Sequence, residues 1–426
     1  MILTAKACLA LVCFLCALPL SLWAPRPTLA PRQFSKAIVA AVAVSRLGLF
    51  TLIFLILGIS PQSDVTAYWS EGHAVLKGES PLLDIPTAYG PLFDCLVATI
   101  IPLWDSPAAL VLFAILLEII SVPVWMAIGR RVFDEAVTRR AAVLYVVNPL
   151  PISVVAIAGQ NHVGLSLLLA LSLLALARRQ DVLSAAWLGF SIIAVKFLSL
   201  LFMPPLFLAA HRRVAWVAAF AVFPVLGYGA VAALGAHPWQ QVAFHGSDNS
   251  SGNLPYLLGA AGLDLADPHR RVIADIAAFS VLCASFLAVI WRCGGTRPSQ
   301  PVLMCAFVLL VTMILSKKAY ASYLVIVLFP LCIAVAGQAK FVLAAICLEL
   351  VMGLATLEPS LWFRWMGQRE LGDLLKAGVV TPMHTVLFLS CDVLLVAGYA
   401  AMIGMVWSAM AKERHHRDGA VWAAQG

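Results

Sequence analysis

Five short stretches carry side chains able to do chemistry in a chain that is otherwise apolar. The first is residues 63–91, SDVTAYWSEGHAVLKGESPLLDIPTAYGP, where Asp64 follows an apolar run by only a few positions. A carboxylate at a membrane boundary can take a proton from a hydroxyl near the headgroup plane, as a general base does. It can equally be a helix N-cap, because Val65 to Lys77, closed by Gly78, reads as an interfacial helix. Tyr68 on that helix offers a ring and a hydroxyl. Glu71, Glu79 and Asp84 read as solvated or structural. Tyr89-Gly90-Pro91 then starts a second interfacial helix, with proline in its first turn.

The second stretch is NPLPISVVAIAGQNH, 148–162. Its prolines interrupt helical hydrogen bonding. Gln160, Asn161 and His162 offer hydrogen bonds to a sugar, or simply make a polar turn. The third is Lys196, in the middle of GFSIIAVKFLSLLFMPPLFL. A lysine deep in an apolar run costs about 3 kcal/mol or more and calls for a partner. A phosphate would serve, since lysine binds phosphate as a point charge; so would an internal acid such as Glu118 or Asp392. The fourth is SKKAYASYLVIVLFP, 316–330, with Lys317, Lys318, Tyr320 and Tyr323 at one helix end. An anionic lipid headgroup would explain the paired lysines, as would general headgroup contact. The fifth, 237–262, mixes His237, His245 and Asp248 with Trp239 and Tyr256. His245 is a candidate substrate contact. His245 and Asp248 alone do not make a metal site, and the sequon at Asn249 is a weak signal.

The elements that must position these residues are membrane helices. Of the 426 residues 62% are hydrophobic and 12% charged, against roughly 25% charged in soluble domains. Long continuous apolar runs argue against a β-barrel, whose segments are short and alternating. The runs support 12 or 13 spans. Run 183–209 divides near Lys196 into two half-spans. Residues 90–104 are too short to cross and lie in the interface. The first run, 3–23, is either a retained helix or a cleaved signal. Cysteines 13 and 16 have C-x-x-C spacing, but inside an apolar run they read as packed side chains rather than a redox or zinc site. There is no phosphate-binding glycine loop, zinc-protease motif or nucleophile elbow.

The net charge of +7 is a topology signal rather than a nucleic-acid groove. The short connectors with the N-terminal 24–36 segment and the tail hold 17 Lys plus Arg against 5 Asp plus Glu. Loops 60–106, 236–271, 317–318 and 358–380 hold 8 against 12. By the positive-inside rule the first set is cytoplasmic. The polar loops then lie on the extracytoplasmic face. Lys6, Arg46 and Lys196 remain inside apolar runs.

Taken in order, these motifs resemble the GT-C superfamily of integral-membrane glycosyltransferases, and most of all the polyprenol-phosphomannose-dependent mannosyltransferases. The resemblance spans about residues 37–410. It implies a GT-C-like all-α bundle and a polyprenyl-phosphate sugar donor lying in the bilayer. Asp64 would deprotonate an acceptor hydroxyl on a lipid or glycan, and the sugar would transfer with inversion. Lys196 and Lys317 or Lys318 would meet the leaving phosphate. Tyr68, Gln160, His162 and Tyr323 would position sugar and acceptor. Many members carry two adjacent acids in this loop; here Val65 follows Asp64, which argues against a metal there. His162 stands where an acid often does, so no acidic role carries over.

The sequence therefore leads us to expect one transmembrane domain over 1–426, an extracytoplasmic loop at 60–106 and a cytoplasmic tail at 411–426. We expect a hexosyl-transferring enzyme of the cytoplasmic membrane, active on its extracytoplasmic face, without cofactor or metal. Its partners would be lipids and lipid-linked substrates, not nucleic acid; oligomeric state is left open. The competing readings are a flippase of lipid-linked sugars, a GT-C enzyme with a different donor, and a structural partner with a decayed site.

Overall fold

The computed structural model describes residues 2–24, 29–237, 250–261, 268–293, 299–365 and 382–423. The N-terminal half contains α1 (Ile2–Trp23), α2 (Pro31–Phe50), α3 (Val65–Leu76), α4 (Phe93–Ile100), α5 (Pro107–Val132), α6 (Glu135–Val147), α7 (His162–Ala177) and α8 (Asp181–Ala194). There follow α9 (Met203–Ala209), α10 (Arg213–Ala233), α11 (Leu254–Ala260), α12 (Pro268–Cys293), α13 (Gln300–Leu315), α14 (Leu328–Ala336), α15 (Phe341–Trp365) and α16 (Pro382–Ala423). The architecture is an all-helical bundle, as expected; α16 runs on through the boundary drawn at 411.

Eight helices among the described residues are long and apolar enough to cross a membrane, since about 20 apolar residues span the hydrocarbon core. Five shorter apolar helices accompany them. The expected 12 or 13 spans include these shorter ones. Exposed Leu52, Leu55, Ile56, Val225, Leu226, Ile273 and Phe279 mark a rim suited to lipid rather than water. The protein is an integral membrane protein.

Side-chain contacts sort the connections into two ends. At one end Arg139 reaches the Leu29 carbonyl, Arg130 the Pro31 carbonyl and Arg131 the Ala177 carbonyl. The Arg212 N–H donates to Asp181 there as well, at 2.6 Å. The basic connectors thus gather together. At the other end the loops around Asp64, Gln160, Lys196 and Lys317 meet.

The Asp181–Arg212 bond also shows that residues 181–210 leave one end of the bundle and return to it. α8 is 14 residues long, about 21 Å at 1.5 Å per residue, short of a full crossing. The chain breaks at Lys196, which is extended with φ −161° and ψ 144°, and returns through a 3-10 turn, Phe197–Phe202, and α9. The division expected in run 183–209 is present. Its result is a helical hairpin with Lys196 at its tip.

Of the three cations in apolar runs, Arg46 is fully buried against fully buried Glu118, with Nη2 3.3 Å from Oε1. It also donates to the Val146 carbonyl at 3.2 Å, tying α2, α5 and α6 together. Lys6 of α1 donates to the Thr356 carbonyl of α15 and feels the charge of Glu358. Glu118 is therefore not the partner of Lys196. The third cation has a different environment.

Candidate functional site

Two unusual helix ends set the site up. α2 widens into a π-helical turn, Thr51–Ile56, and then leaves the bundle through Gly58. After α6 the chain is interrupted at Asn148, whose Oδ1 accepts from the Leu150 N–H, and continues as a second π-helical turn, Ile152–Ile157. That turn ends at Gly159, with φ +62°, where a Cβ would press on Val111. Such turns are uncommon and recur at functional sites. Here they deliver Asp64 and Gln160 to the same place. The Ser63 hydroxyl fastens the two loops by donating to the Ala158 carbonyl.

Asp64 stands at the start of α3, yet its carboxylate accepts no capping hydrogen bond and is exposed. The capping alternative thus leaves the side chain without its role. Tyr68, one turn further on, is buried and donates to Gln160 Oε1 at 3.3 Å. Its ring packs edge-on against Tyr89 at 4.8 Å and Phe93 at 5.1 Å. Burial first, and then Tyr89 and Asp64, push the Tyr68 phenol well up. Burial first, and then Asp64, push the Tyr89 phenol up likewise. Both phenols therefore stay protonated and act as hydrogen-bond donors and packing surfaces.

Lys196 comes to this cluster from the hairpin tip. Its Nζ donates to the Tyr323 hydroxyl at 3.2 Å. It also sits over the rings of Tyr323 at 5.0 Å and Tyr89 at 5.5 Å. Among the described residues no carboxylate ion-pairs with it, though the charge of Asp64 acts on it. An ammonium 9% exposed in an aromatic box is weakly compensated, and an anion entering beside it would supply what the fold does not. His162 packs its ring on Tyr323 at 4.8 Å. His162 and Asn161 are buried, and their polar side-chain atoms have no hydrogen-bond partner among the described residues. Buried polar groups are nearly always hydrogen-bonded, so this pair has capacity to meet a ligand.

The hairpin is held in place by the loop before α4. Gly90 and Leu92 donate N–H bonds to the carbonyls of Val195 and Ile193, at 3.1 and 2.9 Å. A Cβ at Gly90 would run into the Ile193 carbonyl oxygen, so this close approach needs glycine.

The structure thus brings together Asp64, Tyr68, Gln160, His162, Lys196 and Tyr323 from four segments of the chain. It adds Tyr89, whose place in the sequence suggests only the start of a helix. Lys317 lies in the same turn as Tyr320 and Tyr323, but its Nζ pairs with Asp275 at 2.9 Å. The Lys318 backbone N–H donates to Ser316 Oγ in that turn. Ser250 clamps the turn by donating its N–H to the Lys317 carbonyl at 2.8 Å. His245 lies outside the described residues. Helices are present at both places where interfacial ones were expected, α3 and α4, the latter starting at Phe93 rather than at Gly90. Glu71 departs from the solvated reading: it is half-buried against Asp94, which is fully buried. Among the described residues no three His, Cys, Asp or Glu side chains cluster as a metal site requires.

An exposed carboxylate and a buried ammonium that border the same tyrosines are suited to a reaction that takes a proton from one partner and delivers negative charge to another. Comparison with known proteins bears on which reaction. The model of glycosyltransferase family 87 matches residues 88–316. That segment holds Tyr89, Gln160, His162 and Lys196, while Asp64 and the 317–323 turn lie outside it. No curated protein matches the chain. Among solved structures, the crystal structure of ArnT from Cupriavidus metallidurans bound to undecaprenyl phosphate is similar. It has 15% sequence identity and a TM-score of 0.47, over 88% of this chain and 78% of that one.

Proposed function

Because this chain belongs to glycosyltransferase family 87, we propose that it transfers a hexose, mannose in the first instance, from a polyprenyl-phosphate carrier to a hydroxyl of a lipid or glycan acceptor. The acceptor O–H gives its proton to Asp64 as its oxygen attacks the anomeric carbon. The bond from that carbon to the phosphate oxygen breaks on the opposite face, giving inversion. The electron pair leaves on polyprenyl phosphate, whose developing charge Lys196 meets.

The observation that carries this reading is the convergence of exposed Asp64 and buried Lys196 on the floor of Tyr68, Tyr89 and Tyr323. Three further points support it. The sequence lacks a nucleotide-binding motif, which favours a donor held in the lipid. The site lies at the ends of apolar helices, where a polyprenyl tail would meet water. The charge bias favours an extracytoplasmic position for this end. In this reading Asn161, His162 and Gln160 hydrogen-bond the sugar, and the mechanism calls for no metal.

Purified protein in lipid nanodiscs, offered polyprenyl-phosphate mannose, glucose and a pentose with membrane-lipid acceptors, tests the reading. Mannosyl transfer is expected. Transfer of only another sugar would correct the donor. No transfer from any of them, with movement of the lipid-linked sugar across vesicles, would replace the enzyme by a flippase.

A further inference from the structure

Behind the tyrosines lies a pair of acids that the proposed chemistry does not use. Asp64, Tyr68 and Glu71 recur at i, i+4 and i+7, so they share one face of α3. Across from that face, Asp94 sits in the first turn of α4, 0% exposed. Neither of its oxygens meets a donor in good hydrogen-bond geometry among the described residues, although the Glu71 and Thr87 side chains both lie near enough to act on it. Two ionised carboxylates offer only acceptors to each other, so that contact becomes a bond only when one of them carries a proton. Thr87 completes the arrangement: its Oγ1 donates to Glu71 Oε2 at 3.5 Å and accepts the Tyr89 N–H at 3.2 Å. Apart from Asp94, the charge of Asp64 also bears on Glu71.

We propose that Glu71 and Asp94 share a single proton in a carboxyl–carboxylate hydrogen bond that clamps α3 to α4 and so sets Asp64 against Lys196. This rests on the reading of Asp64 and Lys196 as the working pair. The mechanical chain is continuous. Asp64 and Glu71 ride on α3. Asp94 rides on α4, whose leading loop is bonded through Gly90 and Leu92 to Val195 and Ile193, beside Lys196. The base and the cation belong to different elements, and the carboxyl pair joins them beside the Thr87 bond to Glu71. Burial, followed by the repulsion of the facing acid, pushes the Glu71 carboxyl up; burial also pushes up that of Asp94. A proton held between them relieves both effects. Glu71 and Asp94 are thus positioning residues.

Infrared spectroscopy of the full-length protein in nanodiscs reads the proton directly and does not depend on any sugar being transferred. The difference spectrum of wild type minus Glu71→Gln at neutral pH is expected to show one protonated-carboxyl band that shifts in deuterated water. The Asp94→Asn difference spectrum should show the same band. Absence of the band from both, with carboxylate bands alone, would overturn the shared proton. Turnover of polyprenyl-phosphate mannose reads the positioning. Glu71→Gln keeps a donor facing Asp94 and is expected to stay within about threefold of wild type, whereas Glu71→Ala loses about 100-fold in kcat, the order expected for a displaced catalytic group. An unchanged rate in Glu71→Ala would overturn the clamp, as would a Glu71→Gln protein that folds but is as slow as the alanine variant. A protein that shows the band yet turns over no donor would instead overturn the proposed function and leave the shared proton standing.

Discussion

Lys196 is the side chain whose environment is hardest to explain by folding alone. Arg46 is matched by Glu118 and Lys6 lies in the field of Glu358, but Lys196 has a phenol, two aromatic rings and the charge of an exposed carboxylate that does not pair with it. A cation held that way is poised for an anion. Lys196→Met is therefore expected to lower kcat about 100- to 1,000-fold, the usual effect of removing one group that stabilises transition-state charge. Tyr323→Phe removes only the hydroxyl that orients the ammonium and is expected to cost about tenfold, one hydrogen bond's worth of orientation. Steady-state kinetics on both variants with a polyprenyl-phosphate sugar checks the order. Much of this was legible in the sequence, because a lysine amid phenylalanine and leucine stands out in one dimension. Tyr89 was not legible. An aromatic in an interfacial loop is ordinary, and only the hairpin tip laid beneath it gives it a role.

At the scale of elements, two polar contacts inside the bundle make different predictions. The Arg46–Glu118 pair is fully buried and joins three helices. Removing one partner strands a charge, so Glu118→Ala is expected to cost about 3–5 kcal/mol, while replacing both by apolar side chains of similar size is nearly neutral. Melting in detergent of the single variant and of Arg46→Met with Glu118→Leu distinguishes the two outcomes. The Glu71–Asp94 pair makes stability depend on pH. Both carboxyls are raised above their unfolded values, principally by burial, so the folded state holds protons the unfolded chain has lost. Their contribution is complete below about pH 4, where unfolded carboxyls are protonated too. It declines as pH rises through the raised values, by at most about 1.4 kcal/mol per pH unit for one proton. A flatter melting-temperature profile in Glu71→Gln than in wild type is the expected result. The sequence marked the break at Lys196 and the helix at α3. It did not mark the carboxyl pair, because the pairing arises only when α3 packs on α4.

For the whole molecule, the connectors form two chemically different ends. One gathers Arg130, Arg131 and Arg139; the other gathers the acidic loop and the Lys196 tip. A cysteine placed at exposed Glu79 is expected to react with an impermeant thiol reagent from outside intact cells. One at exposed Asp134 should react only after permeabilisation. The helical class and the two ends were readable because bilayer thickness and charge bias act on each segment separately. Which polar residues meet was only partly readable: Asp64, Tyr68, Gln160, His162, Lys196 and Tyr323 converge, while Lys317 instead meets Asp275. Ion pairing across α12 and the 316–320 turn is a property of packing, and neither segment announces the other.

The central claim is that Asp64 takes the acceptor proton. The direct measurement is the single-turnover rate from polyprenyl-phosphate mannose for Asp64→Asn beside wild type, with donor binding measured on the same samples. The asparagine keeps size and polarity but cannot accept the proton. The expected result is unchanged donor affinity with a rate lowered about 100- to 10,000-fold, the range for a lost general base. A folded Asp64→Asn protein that transfers sugar at the wild-type rate would contradict the account.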